Sequence, residues 1–169
     1  MLFGARQPVV GKANTLIRRP MTQVFGFIGD GFFENYPRWS PEVVSLKPLM
    51  EGPLAVGSMV HQVRVDHGHR SESTFRVTDL IANQRIAFTG VTNAYRCIYD
   101  LDVLAEGPEA TTRVTFTFEF PELEMFMRPF EKLIRIAVQD GANRTVKNLK
   151  GLIEALPAPV EHLPSSDLH

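Results

Sequence analysis

The feature that most constrains this chain is a change of period. Between residues 59 and 120, apolar and polar side chains alternate in short runs. From about residue 129 to 156, apolar side chains recur at helical spacing instead. The alternating part is punctuated by His67-Gly68-His69, Asn83-Gln84, Thr92-Asn93-Ala94 and Glu106-Gly107-Pro108-Glu109, each a turn signal. It reads as a meander of antiparallel strands, apolar on one face. Such a sheet must have that face covered. The segment available is the helical one, with Phe130, Leu133, Ile134, Ala137, Val138, Val146, Leu149, Leu152 and Ile153 on its apolar side. At 1.5 Å per residue this helix is about 40 Å long, enough to cross a curved sheet.

A one-residue slip turns every side chain over, so registers can be tested by the faces they produce. Leu101 against Val114 sets Tyr99 opposite Phe116, Cys97 opposite Phe118 and Tyr95 opposite Phe120. The reverse face then pairs Asp102 with Arg113 and Arg96 with Glu119, each pair favourable by up to ~1 kcal/mol. Ile81 against Ile86, and His61 against Phe75, extend the sheet and set Arg64 opposite Glu72 outside. The predicted apolar face holds Met59, Val63, Val65, Phe75, Val77, Ile81, Ile86, Phe88, Leu101, Val103, Val114, Phe116 and Phe118. His61, Ser73, Asp79, Tyr95 and Tyr99 interrupt it.

Before the meander, residues 9–18 read as a strand, and Pro20 suits the first turn of a helix. Val24, Phe25, Phe27 and Ile28 give helical spacing up to Gly29-Asp30-Gly31. A second short helix, 32–36, runs into Pro37, and a strand follows from about 43 to 50. The expected organisation is a frayed start (1–8), one ligand-binding domain (9–156) and a proline-rich flexible tail (157–169).

Strand, two short helices, antiparallel meander and long terminal helix is the order of the START-like (SRPBCC) helix-grip superfamily. The chain resembles its polyketide cyclase/dehydrase and lipid-transport group. The resemblance rests on Ile17-Arg18-Arg19-Pro20 with Val24 to Asp30, on Tyr36-Pro37-Arg38-Trp39-Ser40-Pro41-Glu42-Val43, on Gly52-Pro53-Leu54-Ala55-Val56-Gly57-Ser58, and on Ala110-Thr111-Thr112-Arg113-Val114. These motifs are architectural rather than catalytic. The resemblance implies an α+β helix-grip fold with a cavity between the curved sheet and the long helix, holding a small hydrophobic molecule.

Aromatic residues with a few polar tips are the usual makeup of such a pocket. The expected lining is Trp39, His61, Val63, Phe75, Phe88, Tyr95, Tyr99, Phe116, Phe118, Phe126, Phe130 and Ile134. His61 is the candidate general base, against a buried imidazole bonded to Ser73 or a tyrosine. Tyr95 and Tyr99 are candidates to bond a ligand carbonyl or donate a proton, against simple packing. Asp79 reads as a rim carboxylate and Cys97 as an inert packing thiol. His61, His67 and His69 lack acidic or thiol partners at ligand spacing, so no metal site is expected, nor any cofactor. No nucleophile elbow, phosphate loop or carboxylate pair is present.

Charge narrows the partners. Lys plus Arg total 18 against 19 Asp plus Glu, so the basic excess of a nucleic-acid binder is missing. No apolar run reaches the ~18 residues of a membrane span, although the basic residues of the long helix leave a transient membrane contact open. The start of the chain lacks the apolar core of a secretion signal and Cys97 has no disulfide partner, which reads as cytoplasmic. Monomer and homodimer both fit. The expected function is a carrier or sensor of a lipid, polyketide or similar metabolite. The alternatives are a cyclase/dehydratase moving protons with an inward His or Tyr, and a protein-interaction module.

Overall fold

The computed structural model describes residues 7–159. The expected flexible ends thus fall largely on residues 1–6 and 160–169, outside the described chain. Seven antiparallel strands form one sheet: β1 (Val9–Ile17), β2 (Val43–Pro48), β3 (Met59–Asp66), β4 (His69–Ile81), β5 (Arg85–Gly90), β6 (Arg96–Ala105) and β7 (Thr111–Phe120). Their spatial order is β1-β7-β6-β5-β4-β3-β2, so β1 and β2 stand at opposite edges. The connection between them must cross the sheet. It does so with α1 (Met21–Phe25), a π-helical turn over Gly26–Asp30, and α2 (Phe32–Trp39). A turn of 3-10 helix, Met125–Phe130, leads from β7 into α3 (Glu131–Glu154), the long helix.

α3 runs along β1. Its contact is close because Gly11 has no side chain: a Cβ there would stand 2.5 Å from the Val138 carbonyl oxygen. Gln139 bonds both backbone groups of Lys12, and farther along the Lys150 ammonium bonds the Leu16 carbonyl. Arg19 closes the far end by donating to the carbonyls of Glu154 and Leu156, which helix geometry leaves free. Ala142, Val146, Leu149 and Ile153 are buried beneath the second half of the helix.

The β6–β7 register is the predicted one, with Leu101 opposite Val114, Tyr99 opposite Phe116 and the Asp102–Arg113 and Arg96–Glu119 pairs on the reverse face. Two other registers differ by one residue. Phe75 lies opposite Val60, not His61, so Val60, Gln62 and Arg64 point inward while His61, Val63 and Val65 turn outward. The apolar residues of β3 favour the odd positions; the even ones are satisfied only because Gln62 and Arg64 find partners inside. In β4 the register shifts between Val77 and Asp79, a bulge that inserts Thr78. Leu80 therefore faces Ile86, Ile81 is exposed, and Asp79 turns outward to pair with Arg85 and Arg96, each at 3.5 Å. The β3–β4 hairpin turns on His67 and Gly68 at φ 50° and 79°, as a two-residue turn of the twisted kind requires.

α2 extends beyond the predicted 32–36 and carries Pro37 inside it. Phe32, Tyr36 and Trp39, spaced four and three apart, project from one face into the sheet. There they meet Phe75, Phe88 and Tyr99 edge-on, with ring centroids 5.8 to 6.5 Å apart.

Candidate functional site

The interior divides into a filled part and an open part. In the filled part Trp39 and Tyr99 are 1% and 2% exposed, and the indole Nε1 donates to the Tyr99 hydroxyl at 3.1 Å. Asn148 of α3 donates to the Trp39 carbonyl at 3.0 Å, locking helix to helix. Phe75, Phe88 and Phe116 belong to the same buried cluster. These five residues of the expected lining face inward, yet they pack against one another.

The open part lies past Gly11 toward the start of α3. Val138 sits over the row Gly11–Phe118–Cys97, so residues 131–137 extend roughly 10 Å past that row. One face of α3 carries Ile134, Ala137 and Gly141, then Arg144 and Asn148. The last two are docked, Arg144 on Glu42 at 3.3 Å and Asn148 on Trp39. Ile134 and Ala137 continue that face toward the start of the helix, the first half-buried and the second exposed. On the inner face at this end of the sheet Phe118 and Phe120 are half-buried, with Tyr95 stacked on Phe118 at 5.8 Å. Tyr95 reaches this place because its ring lies across Gly90, where a Cβ would come within 2.4 Å of it.

Behind these rings is a buried polar cluster. Tyr36 donates to Gln62 Oε1 at 3.4 Å, while Gln62 Nε2 donates to Ser73 Oγ at 3.2 Å and to the Tyr95 hydroxyl at 3.0 Å. Arg64 flanks it, bonded to Asp66 and Ser40 and 4.0 Å from Glu42. Burial pushes the Tyr95 phenol up to about 12, and raises Tyr36 and Tyr99 also. Burial works against the Arg64 charge, but Tyr36, Asp66 and Glu42 outweigh it and the guanidinium stays charged. At neutral pH these phenols keep their protons, Tyr36 donating to Gln62 while the Tyr95 and Tyr99 oxygens accept from Gln62 and Trp39. Cys97 is buried beside them with its thiol pushed up to about 12, the inert state expected.

Several expected site residues stand elsewhere. His61 is on the outer face, 3.4 Å from Thr74 Oγ1 and 3.9 Å from Glu72, and Val63 shares that face. Both were displaced by the one-residue slip. Phe126 and Phe130 are 71% and 57% exposed, because 3-10 geometry precedes α3 and turns them off its buried stripe. Ile134 is half-buried. Among the described residues, no three His, Cys, Asp or Glu side chains converge on a metal-sized site. Tyr36, Gln62 and Arg64 were missed; the spacing of Phe32, Tyr36 and Trp39 on one helical face was the available signal for the first. On the outer face an open groove of about 910 Å³ runs past Lys12, Arg85, Asp100 and Arg113, and a smaller hollow of about 390 Å³ lies between Ala94 and the 122–128 segment.

The family described as polyketide cyclase/dehydrase and lipid transport matches residues 11–154. The chain belongs to that family. Solved structures with the same fold include the ZhuI aromatase/cyclase of Streptomyces sp. R1128 (15% identity, TM-score 0.70, 88% of this chain and 94% of that one). The Thermus thermophilus protein TTHA0849 matches at 19% identity and TM-score 0.65, covering 86% and 97%. The major latex-like protein 151 of Panax ginseng matches at 15% and 0.61, covering 85% and 97%. The expected helix-grip fold is thus the observed one. No curated protein matches the sequence. Among the described residues no helix is long and apolar enough to cross a membrane.

Proposed function

We propose that this protein binds a small, mainly apolar molecule, as carrier or sensor, in the cleft between the free half of α3 and the end of the sheet. The observation that carries this reading is apolar surface left incompletely covered at one end of the fold, Ile134 and Ala137 on the first turns of α3 and half-buried Phe118 and Phe120 on the inner face of the sheet, with buried Tyr95 stacked on Phe118. Apolar surface on both walls supplies affinity at about 25 cal/mol per Å² buried, less the costs of ordering the ligand. The polar cluster at the back supplies orientation. An occupant touches the outer end of the aromatic core, whereas Trp39, Phe75, Phe88 and Tyr99 form the floor beneath it. A proton-transfer role for His61 has no support from its place on the outer face.

Titration with 1-anilinonaphthalene-8-sulfonate tests the reading. Saturable one-site fluorescence enhancement is expected, and Ala137→Trp, which puts an indole on the first turns of α3, is expected to abolish it. Ala137 is exposed, so the melting temperature stays close to that of the parent. Unsaturable binding, or an Ala137→Trp variant that binds as the parent does, overturns the proposal. Native mass spectrometry of protein purified from its own host then identifies the occupant.

A further inference from the structure

Apolar surface is also left open on the outward side of α3 and the turn before it. Met125, Phe126, Phe130, Leu133 and Ile136 fall within twelve residues of chain and are 75%, 71%, 57%, 66% and 60% exposed. At ~200 Å² for a large side chain they present about 650 Å² together, above the roughly 300–600 Å² of the largest patch on a typical monomer. The charges around them are mixed. Arg128, Lys132 and Arg135 stand among Glu122, Glu124, Glu131 and Asp140. Without a basic excess the patch does not suit an anionic lipid surface. An apolar centre with a rim of both signs is the makeup of a protein interface.

Two of these charges say what the partner is. Arg128 pairs with Glu122 at 3.7 Å and Arg135 with Glu131 at 3.2 Å, whereas Lys132 and Asp140 have no ion-pair partner among the described residues of their own chain. Both are exposed, and they flank Ile136 four residues to either side. Residues spaced by four form one row on a helix, so Lys132, Ile136 and Asp140 lie in line, on the side of α3 away from buried Ala142, Val146 and Leu149. A half-turn about Ile136 exchanges the two ends of this row, positive for negative. A second copy laid antiparallel across it therefore sets each Lys132 opposite the partner's Asp140, with Ile136 on Ile136 between them. The apolar area approaches the ~800 Å² that each side of an ordinary stable complex buries.

We infer that this protein pairs with a second copy of itself through the outward face of the first turns of α3, the two helices antiparallel about Ile136 and clasped by two Lys132–Asp140 ion pairs. The surface lies outside the ligand cleft, so the pairing does not depend on whether the cleft is occupied.

Sedimentation equilibrium of the full chain from about 1 to about 200 µM tests it. The mass is expected to rise from 19.0 kDa to twice that, with a midpoint in the micromolar range. Ile136→Asp is expected to hold the protein monomeric throughout. Lys132→Asp alone and Asp140→Lys alone bring like charges together, and each is expected to weaken pairing by about tenfold or more. The double swap Lys132→Asp/Asp140→Lys restores opposite charges and is expected to bring pairing back to within about threefold of the parent. Every substituted side chain is exposed, so the melting temperature of each dilute variant stays close to that of the parent and shows that it is folded. A parent that stays monomeric over the whole range overturns the inference, whether or not it then floats with phosphatidylcholine/phosphatidylglycerol vesicles. A dimer that Ile136→Asp leaves intact also overturns it, as does a double swap that pairs no better than the single ones.

Discussion

Gly90→Ala is the most informative single change, because one methyl group tests both the packing and the site. A Cβ at Gly90 would stand 2.1 Å from the Asn93 carbonyl oxygen and 2.4 and 2.6 Å from two Tyr95 ring carbons. Ordinary contacts start at 3.4 Å, so a backbone carbonyl and a stacked ring must each move by about 1 Å. Overpacking of this kind costs about 1–3 kcal/mol. At this chain length each kcal/mol lowers the melting temperature by about 2–4 °C, so a fall of about 2–12 °C is expected. Moving the Tyr95 ring also breaks its 3.0 Å bond from Gln62, so 1-anilinonaphthalene-8-sulfonate affinity falls with stability. Gly151→Ala is the control. It adds the same methyl group on an exposed stretch of α3 with nothing within 4 Å, where alanine stabilises by about 0.5–1 kcal/mol. Calorimetry and probe titration on the two variants read both effects. A Gly90→Ala protein that melts within 1 °C of the parent and binds the probe equally would refute the placement of Tyr95.

Three more outcomes follow from the geometry. Tyr99→Phe leaves the buried Trp39 Nε1–H without its acceptor and is expected to cost about 1–3 kcal/mol in urea unfolding with probe affinity unchanged; lost affinity at unchanged stability would return Tyr99 to the ligand. His61→Ala is expected to change probe affinity less than twofold, and a larger loss would mean that His61 points inward after all. Stability should decline in alkali. Tyr36, Tyr95, Tyr99 and Cys97 keep their protons in the folded protein above the ordinary values of 10 for the phenols and 9 for the thiol. The unfolded chain therefore binds fewer protons from pH 9 upward, and stability fully present below that is lost as pH rises toward 12, at about 1.4 kcal/mol per pH unit for each group ionised only when unfolded. A urea midpoint that stays flat from pH 8 to 11 would contradict their burial.

The boundary between what was legible in the chain and what was not runs through β3 and β4. β6 and β7 could be read residue by residue because both faces agree: apolar residues lie opposite one another and opposite charges meet on the reverse side. In β3, Val63 and Val65 together with Met59 outweigh the lone Val60, and hydrophobicity alone selects the wrong face. The balance was decided by groups far away in sequence: Tyr36 and Tyr95 for Gln62, and Ser40 and Glu42 for Arg64. A bulge is equally invisible locally, since inserting Thr78 turns Asp79 outward only when Arg85 and Arg96 are there to receive it.

The order of elements, the meander and the covering helix were determined by the sequence by itself, because period-two and period-3.6 patterns are properties of neighbouring residues. The division of the interior was decided only in three dimensions. Whether space beneath α3 is filled depends on how far Phe32, Tyr36 and Trp39 reach from α2, and on where Gly11 lets the helix settle. Those are distances between elements, and no single segment contains them.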